Sequence, residues 1–396
     1  MRDRSTGARS WPRDPAADGR VSRVAGCLAN ADARSRGISG GPGLMQALVT
    51  IPGEAHSTRV AEVAEPSAAP GMVVLRPLEV GVCGTDREIS EGLFGVPPVG
   101  ADRLVLGHEV LARVERDGYG FSRGDLVTAT VRRSCRRCDA CAHGSPDACE
   151  TGQYLERGIT RLDGFACELI AEAAEEVVAV PGSLGRVGVL AEPASICARA
   201  LRHVEIVAGR QHWSARRALV VGAGAIGMLA TYFLRLEGVH VWTAARGPAT
   251  SLKGELVAAS GAEYVSVAET PLGALANELG GFDLVIEAAG DAQTMLDAVG
   301  VLRRNGVACL LGLDGRTQRL SIDGTIVGVD VVLQNRAVFG SVNARRDDWR
   351  AAVDLLDRAR TRWPDTVESF VGRRVRLDEF QEAFAFGGVK ATLVLA

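Results

Sequence analysis

Hydrophobic and polar positions fall into two textures along the chain. In residues 45 to about 201, short apolar runs such as Met72-Val73-Val74-Leu75, Leu104-Val105-Leu106 and Leu126-Val127-Thr128 alternate with glycine and proline, and no helical period persists. That pattern predicts an irregular β-domain. From Arg217 onward, apolar runs at 218–221, 239–244, 284–288 and 307–311 are spaced by helix-like segments. This is the alternation of a doubly wound parallel sheet. After Asn343, the amphipathic stretch 347–356 and the closing run 392–395 fit neither another strand–helix unit nor a linker, so they are expected to return to the first domain.

The expected fold class is therefore α/β, an irregular β-domain built from residues 45–210 and 344–396 beside a doubly wound domain over residues 211–343. Residues 1–44 lack the apolar core of a signal peptide and mix arginines with Asp3, Asp14, Asp18 and Asp32. They are expected to be a disordered extension. Because Met45 begins the first orderly pattern, a misassigned upstream start is the favoured explanation, ahead of a transit peptide.

Composition narrows the partners. A formal net charge of -3 offers no cationic excess for a phosphate backbone, so no nucleic acid is expected. The longest apolar stretch, 225–236, is broken by Thr231 and Arg235 and is too short for a bilayer, so no membrane association is expected. Four of the nine cysteines crowd between Cys135 and Cys149, a density that indicates metal chemistry in a reducing, cytoplasmic setting rather than a disulfide framework.

Three motifs carry the chemistry. Gly222-Ala223-Gly224-Ala225-Ile226-Gly227 follows the strand-like 218–221 and precedes a helix-like run to about Glu237. In that setting Gly222 makes the turn, Gly224 lets backbone approach a pyrophosphate, and Gly227 lets helix and strand pack closely. An NAD-specific site carries an acid about 20 residues further on; here the next strand ends Thr243-Ala244-Ala245-Arg246, without an acid, which favours NADP, with NAD as the alternative.

The second motif is Cys135, Cys138, Cys141 and Cys149, within a lobe over residues 131–152. Four thiolates on one short loop suit a tetrahedral structural zinc with no open position, an iron–sulfur cluster being the rival. The third is dispersed: Cys83 in Val82-Cys83-Gly84-Thr85, His108-Glu109 after Gly107, and Glu192 before Pro193. Each alone is ordinary, but a thiolate, an imidazole and a carboxylate together leave a catalytic zinc one open position. Zinc lowers the pKa of bound water from 15.7 to about 7, and alcohols respond alike. Thr85 is placed either to relay that proton through its hydroxyl or to cap the following segment. Cys27, Cys167, Cys197 and Cys309 show no metal spacing.

In this order the motifs resemble the zinc-dependent medium-chain dehydrogenase superfamily, with a GroES-like catalytic domain and a Rossmann domain, over nearly all of residues 45–396. The run Cys149-Glu150-Thr151-Gly152-Gln153-Tyr154-Leu155-Glu156-Arg157-Gly158-Ile159, then Asp163-Gly164-Phe165, is similar to the glucose 1-dehydrogenase branch, as is Phe339-Gly340-Ser341-Val342-Asn343-Ala344. The resemblance implies a catalytic zinc on Cys83, His108 and Glu192, with Glu109 as an alternative or exchanging ligand. It implies that Glu156 and Asn343 bind sugar hydroxyls, and that Leu311, Gly312, Leu313, Ser341, Val342 and Asn343 line the nicotinamide. It further implies oxidation of an aldose at C1 to the lactone, by a homo-oligomer. Where some sugar-oxidising relatives carry an asparagine, this chain has Val131, and where some carry an arginine pair it has Arg246-Gly247. A zinc polyol or cyclitol dehydrogenase on the same fold is the nearest alternative reading. A non-catalytic sensor of NADPH or zinc is more distant, since Cys83, His108 and Glu192 are all present.

Overall fold

A computed structural model describes residues 43–315, 319–321 and 323–395. Most of the expected extension 1–44 lies outside the described residues. The first domain is organised on strand β1 (Met72–Val82), whose burial alternates as far as Leu78 and becomes continuous from Glu79 to Val82. That change marks where the strand passes from a half-exposed face into the interior. Helix α1 (Gly84–Ser90) follows at once, its N-terminus closed by Cys83 and Asp86. Strand β2 (Glu109–Val114) runs antiparallel to β1 and sets Glu109 opposite Gly81.

Helix α2 (Ala191–Ala208) leads from this domain into the parallel sheet. The sheet is made from β3 (Arg217–Val221), β4 (His240–Ala245), β5 (Glu263–Ser266), β6 (Phe282–Glu287), β7 (Leu302–Leu310) and β8 (Ala337–Gly340), with α3 (Ala225–Leu236) between β3 and β4. The strands lie in the order β5-β4-β3-β6-β7-β8, all parallel. The direction of winding reverses between β3 and β6, and a doubly wound sheet opens a crevice beyond its strand ends there.

After β8 the chain forms α4 (Arg346–Arg362), then β9 (Val371–Arg376) and β10 (Lys390–Val394). Strand β10 pairs antiparallel with β1, Ala391 opposite Val82, and β9 adds alongside it. The closing run thus completes the first domain's sheet. The amphipathic stretch forms α4, which buries Trp349, Ala352, Val353, Leu356 and Ala359 in one core with α2 and α3, and Arg346 Nη2 donates to Val177 O of the first domain at 2.9 Å. It also runs six residues beyond the expected end at 356, because Ala359 continues the buried stripe as far as the Trp363-Pro364 break. Asp347 and Asp348 in its first turn and Arg360 and Arg362 in its last suit the helix dipole. Tyr232 of α3 anchors this junction, meeting Trp363 and Phe370 edge-on at 5.0 and 4.9 Å.

Among the described residues no helix is long and apolar enough to cross a membrane.

Candidate active site

Three neighbouring strand ends converge where β1 stops. Cys83 is the residue after β1, Glu109 opens β2, and Lys390 opens β10. Gly81 makes room for the arrangement, since a Cβ there would lie 2.0 Å from a Glu109 carboxylate oxygen. Gly107, at φ +90°, turns the chain into His108, and a Cβ on it would meet Val80 at 2.6 Å. Both glycines are required by close approach.

His108 is the centre of the cluster. Its Nε2 faces the Cys83 sulfur at 3.1 Å, and its Nδ1 faces the Asp86 carboxylate at 3.5 Å. The other Asp86 oxygen accepts the Cys83 backbone N–H at 2.9 Å, while the Thr85 N–H donates to the Cys83 sulfur at 3.3 Å. Cys83 and Asp86 therefore supply the cap of α1. Ligand atoms of Cys83, Asp86 and His108 lie within 4.8 Å of one another, as do those of His108, Glu109 and Glu192, so His108 joins the two groups. Glu192 arrives from the first turn of α2. Glu109 is held through both oxygens by the Lys390 ammonium at 2.6 Å, which also donates to Val82 O at 3.3 Å.

The electrostatics describe an anion-rich cage. Burial and then Glu109 push the Glu192 carboxyl up to about 7. Burial opposes charge on His108, yet Cys83 and Asp86 hold its pKa well above the ordinary histidine range. Burial likewise opposes the charge on Asp86, but His108 and the Cys83 N–H outweigh it and keep the carboxyl below its usual range. A thiol and three carboxylates face one imidazole and one ammonium, a donor set that suits a divalent cation. An imidazole with one nitrogen toward a thiol and the other toward a carboxylate is the usual setting of a zinc-binding histidine. The residues present fit a zinc ion.

The cysteine lobe also fits one. The sulfurs of Cys135, Cys138, Cys141 and Cys149 lie within 4.8 Å of one another, and Cys135 and Cys141 are 3.9 Å apart. A tetrahedron with Zn–S bonds of about 2.3 Å has edges of about 3.8 Å. By contrast Cys167, Cys197 and Cys309 are buried apart from any such group, and burial pushes the thiols of Cys167 and Cys309 up to about 12.

The glycine motif sits at the end of β3. Gly222 has φ +105°, and a Cβ would lie 2.9 Å from the Ala288 backbone; a Cβ on Gly227 would lie 1.9 Å from Gly222 O. Gly224, the N-cap of α3, has nothing within 4 Å of its Cβ position, so open space lies beside the helix N-terminus that opens with Ala225 and Ile226. Glu287, fully buried at the end of β6, accepts the backbone N–H groups of Ala289 and Gly290 at 2.7 and 3.0 Å. Its main-chain carbonyl accepts those of Leu311 and Gly312. Leu311, Gly312 and Leu313 follow β7, and Ser341, Val342 and Asn343 follow β8, joined by Ser341 N–H to Leu310 O at 3.0 Å. Asn343 has φ +68°, and its buried Nδ2 has no hydrogen-bond partner.

Glu156 lies two residues before Gly158, which together with Gly164 packs against the turn that precedes His108: a Cβ on Gly158 or Gly164 would lie 2.5 and 2.4 Å from Gly107 O. Its carboxylate accepts from Arg132 Nε at 2.9 Å. Val131 is buried beneath the same loop, and its carbonyl accepts the Arg157 N–H at 3.0 Å. Arg246 stands exposed just past β4, on a turn pinned by Tyr264 Oη to Gly247 O at 2.9 Å.

Several residues escape sequence reasoning. Lys253 is one: burial, then Arg246 and Arg87, hold its ammonium below the usual lysine range, so a second cation accompanies Arg246. Asp86, Lys390 and Glu287 are others. Of these only Asp86 leaves a local trace, as an acid three residues after a helix-capping side chain.

Comparison with known proteins agrees with the geometry. Residues 69–182 match the alcohol dehydrogenase GroES-like domain, and residues 185–395 match the glucose dehydrogenase C-terminus. The chain is 42% identical over 342 residues to a glucose 1-dehydrogenase of Methanocella arvoryzae, spanning 85% of this chain and 95% of that protein. It is 40% identical over 346 residues to a glucose 1-dehydrogenase of Thermoproteus tenax, spanning 86% and 96%. Among solved structures, Haloferax mediterranei glucose dehydrogenase in complex with NADP, Zn and gluconolactone superposes with a TM-score of 0.82 at 29% identity, covering 89% of this chain and 99% of the other.

Proposed function

Since the chain belongs to the zinc-dependent medium-chain dehydrogenases, in the glucose dehydrogenase family, we propose that it oxidises the C1 hydroxyl of an aldose to the lactone. Glucose is the first candidate, and NADP is the acceptor in preference to NAD. The observation that carries the reading is His108, with its two ring nitrogens divided between the Cys83 thiol and the Asp86 carboxylate.

In this reading Cys83, His108 and Glu192 hold the zinc. When bound there, zinc supplies Lewis acidity that eases loss of the substrate's C1 hydroxyl proton. Asp86 fixes the His108 tautomer, and Thr85 carries the departing proton through its hydroxyl. Lys390 keeps Glu109 occupied and so keeps a second carboxylate off the open position. Glu156 and Asn343 accept and donate hydrogen bonds to sugar hydroxyls; the unpartnered Asn343 Nδ2 is a donor that a ring hydroxyl satisfies. Gly222, Gly224 and the α3 N-terminus receive the pyrophosphate, while Leu311–Leu313 and Ser341–Asn343 grip the nicotinamide carboxamide. Arg246 and Lys253 meet the 2′-phosphate.

The test is an NADP reduction screen over aldoses, polyols and simple alcohols, with product analysis. We expect turnover with an aldose of the glucose type and an aldonolactone that hydrolyses to the acid. A keto-sugar formed from a polyol, with no turnover of any aldose, overturns the reading in favour of a polyol dehydrogenase.

A further inference from the structure

We propose that Arg199 positions the segment from Ser341 to Asn343, and that the cysteine lobe holds Arg199 in place through Asp147. The proposal rests on the reading that this segment faces the nicotinamide and the sugar. Arg199 lies two helical turns along α2 from Glu192, on the same face. Its side chain is buried, only 6% exposed, so each of its donors needs a protein partner. Nε donates to Asp147 Oδ2 at 2.7 Å, and Nη1 donates to Ser341 Oγ at 2.9 Å and Val342 O at 2.6 Å. One rigid guanidinium therefore spans two distant pieces of chain.

Asp147 belongs to the lobe. It sits in the turn Pro146–Ala148, directly before Cys149, and is itself buried. Arg132 continues the network on its other side, donating to Asp147 O at 2.9 Å and to Glu156 Oε1 at 2.9 Å. A continuous path thus runs from Glu156 through Arg132, Asp147 and Arg199 to Ser341 and Val342. Arg202, one turn further along α2, binds Asp348 at the start of α4 through two bonds of 2.6 and 2.9 Å. Beside the Arg199–Asp147 ion pair lies a cavity of about 520 Å³ lined by Asp147, Asn343 and Arg345, crossed among the described residues only by longer contacts, Arg345 Nη1 to Gly144 O at 3.5 Å and Arg202 Nη2 to Asp147 Oδ2 at 3.9 Å. The ion pair is the principal polar bridge between the lobe and this region.

The physical consequence is a division of labour. The four cysteines fix the loop that carries Asp147, Asp147 orients the planar fork of Arg199, and the fork sets the Val342 carbonyl. Asn343 follows immediately, with its backbone in the left-handed region. An ammonium has no fork and does not bridge both partners, so Arg199→Lys tests position while keeping charge. Asp147→Asn, isosteric, is the second variant.

For Arg199→Lys we expect NADPH, titrated by its fluorescence, to bind about tenfold more weakly, the loss of one charge-assisted hydrogen bond. Backbone amide exchange over residues 341–344 rises, zinc content stays unchanged, and the aldose KM increases more than kcat falls. Asp147→Asn moves each readout the same way by about threefold, because it removes charge and keeps an acceptor. A lowered melting temperature with NADPH affinity and amide exchange at 341–344 unchanged overturns the proposal, since a merely structural pair behaves so. Asn343→Ala separates the two layers of inference. If it leaves NADPH affinity and aldose KM unaltered, the assignment of the segment fails and the proposal with it. If it alters them while the Arg199 and Asp147 variants do not, only the positioning role fails.

Discussion

Cys135, Cys138, Cys141 and Cys149 meet on one loop, whereas Cys83, His108 and Glu192 are delivered by the end of β1, the turn before β2 and the first turn of α2. The first set needs only local backbone geometry to bring four sulfurs together, and its four soft donors leave no coordination position for substrate. The second needs a sheet, a helix and two close-packed glycines in register, and in the proposed reading its mixed donors leave a position open. A site assembled late from distant pieces can be adjusted piece by piece for chemistry, while a site assembled locally serves the chain around it. The two sets differ in electrostatic setting as well. Asp86 and Lys390 hold His108 and Glu109 directly through their side chains, whereas among the lobe cysteines a neighbouring side chain is the Thr151 hydroxyl, 3.4 Å from the Cys149 sulfur, and the charged partners bind the loop around them, as Arg199 does at Asp147.

The largest expected effect breaks that comparison if it fails. Cys83→Ala should lower kcat for the aldose roughly a thousandfold or more, the several kcal/mol that a Lewis-acid metal contributes to the barrier. NADPH affinity should change little, because Cys83 is not among the residues placed against the nucleotide, and the melting temperature should fall by only a few degrees, the worth of the lost α1 cap. Steady-state rates, nucleotide fluorescence and thermal unfolding measured on one preparation check all three. A variant that keeps more than a tenth of its turnover assigns the chemistry elsewhere.

A smaller effect belongs to the nucleotide end. Lys253→Met should raise the KM for NADP about tenfold, the worth of one charge-assisted contact to a phosphate, and leave the KM for NAD within about twofold. Equal changes for both nucleotides remove Lys253 and Arg246 from the 2′-phosphate. Because Lys253 lies outside both sets of proposed metal ligands, the zinc content and melting temperature of its variant serve as the control for the others.

Legibility in the sequence follows the same local-versus-distant division. The glycine motif, the four-cysteine lobe and the strand runs near 218–221 and 239–244 were readable because their evidence lies within a few residues. Helix α2 was not. Ala191, Ala194, Cys197, Ala198, Arg199 and Ala200 are all buried, so the helix is covered on most sides and presents no polar–apolar stripe to detect. Strand β5 is four residues long and begins with a charged one, too short to show alternation. The resemblance directed attention to Glu109, yet its bond to Lys390 joins residues at opposite ends of the chain, and no spacing rule reaches that far. Asp147 was hidden for a different reason: it reads as one more polar residue in a loop whose cysteines take all the attention, and its buried partner Arg199 lies in the helix that periodicity missed.

Cys138→Ser sharpens the contrast from the other side. If the lobe is a local structural site, losing one thiolate should remove zinc from the lobe alone, so metal analysis reads a loss of part of the zinc rather than all of it. The melting temperature should fall by several degrees, at roughly 2–4 °C per kcal/mol for a domain of this size. The reaction should survive below that temperature with kcat within about threefold of the parent, because Cys83, His108 and Glu192 are untouched. NADPH affinity should weaken modestly, by about the factor expected for Asp147→Asn, since the loop that carries Asp147 is then no longer tied at one corner. The ordering of these quantities is the informative part. If kcat collapses to the extent expected for Cys83→Ala while the remaining zinc is retained, the lobe takes part in chemistry directly and the two sites are not divided as their architecture implies. If stability falls with affinity unchanged, the lobe is a staple for its own loop and the path through Arg199 carries nothing.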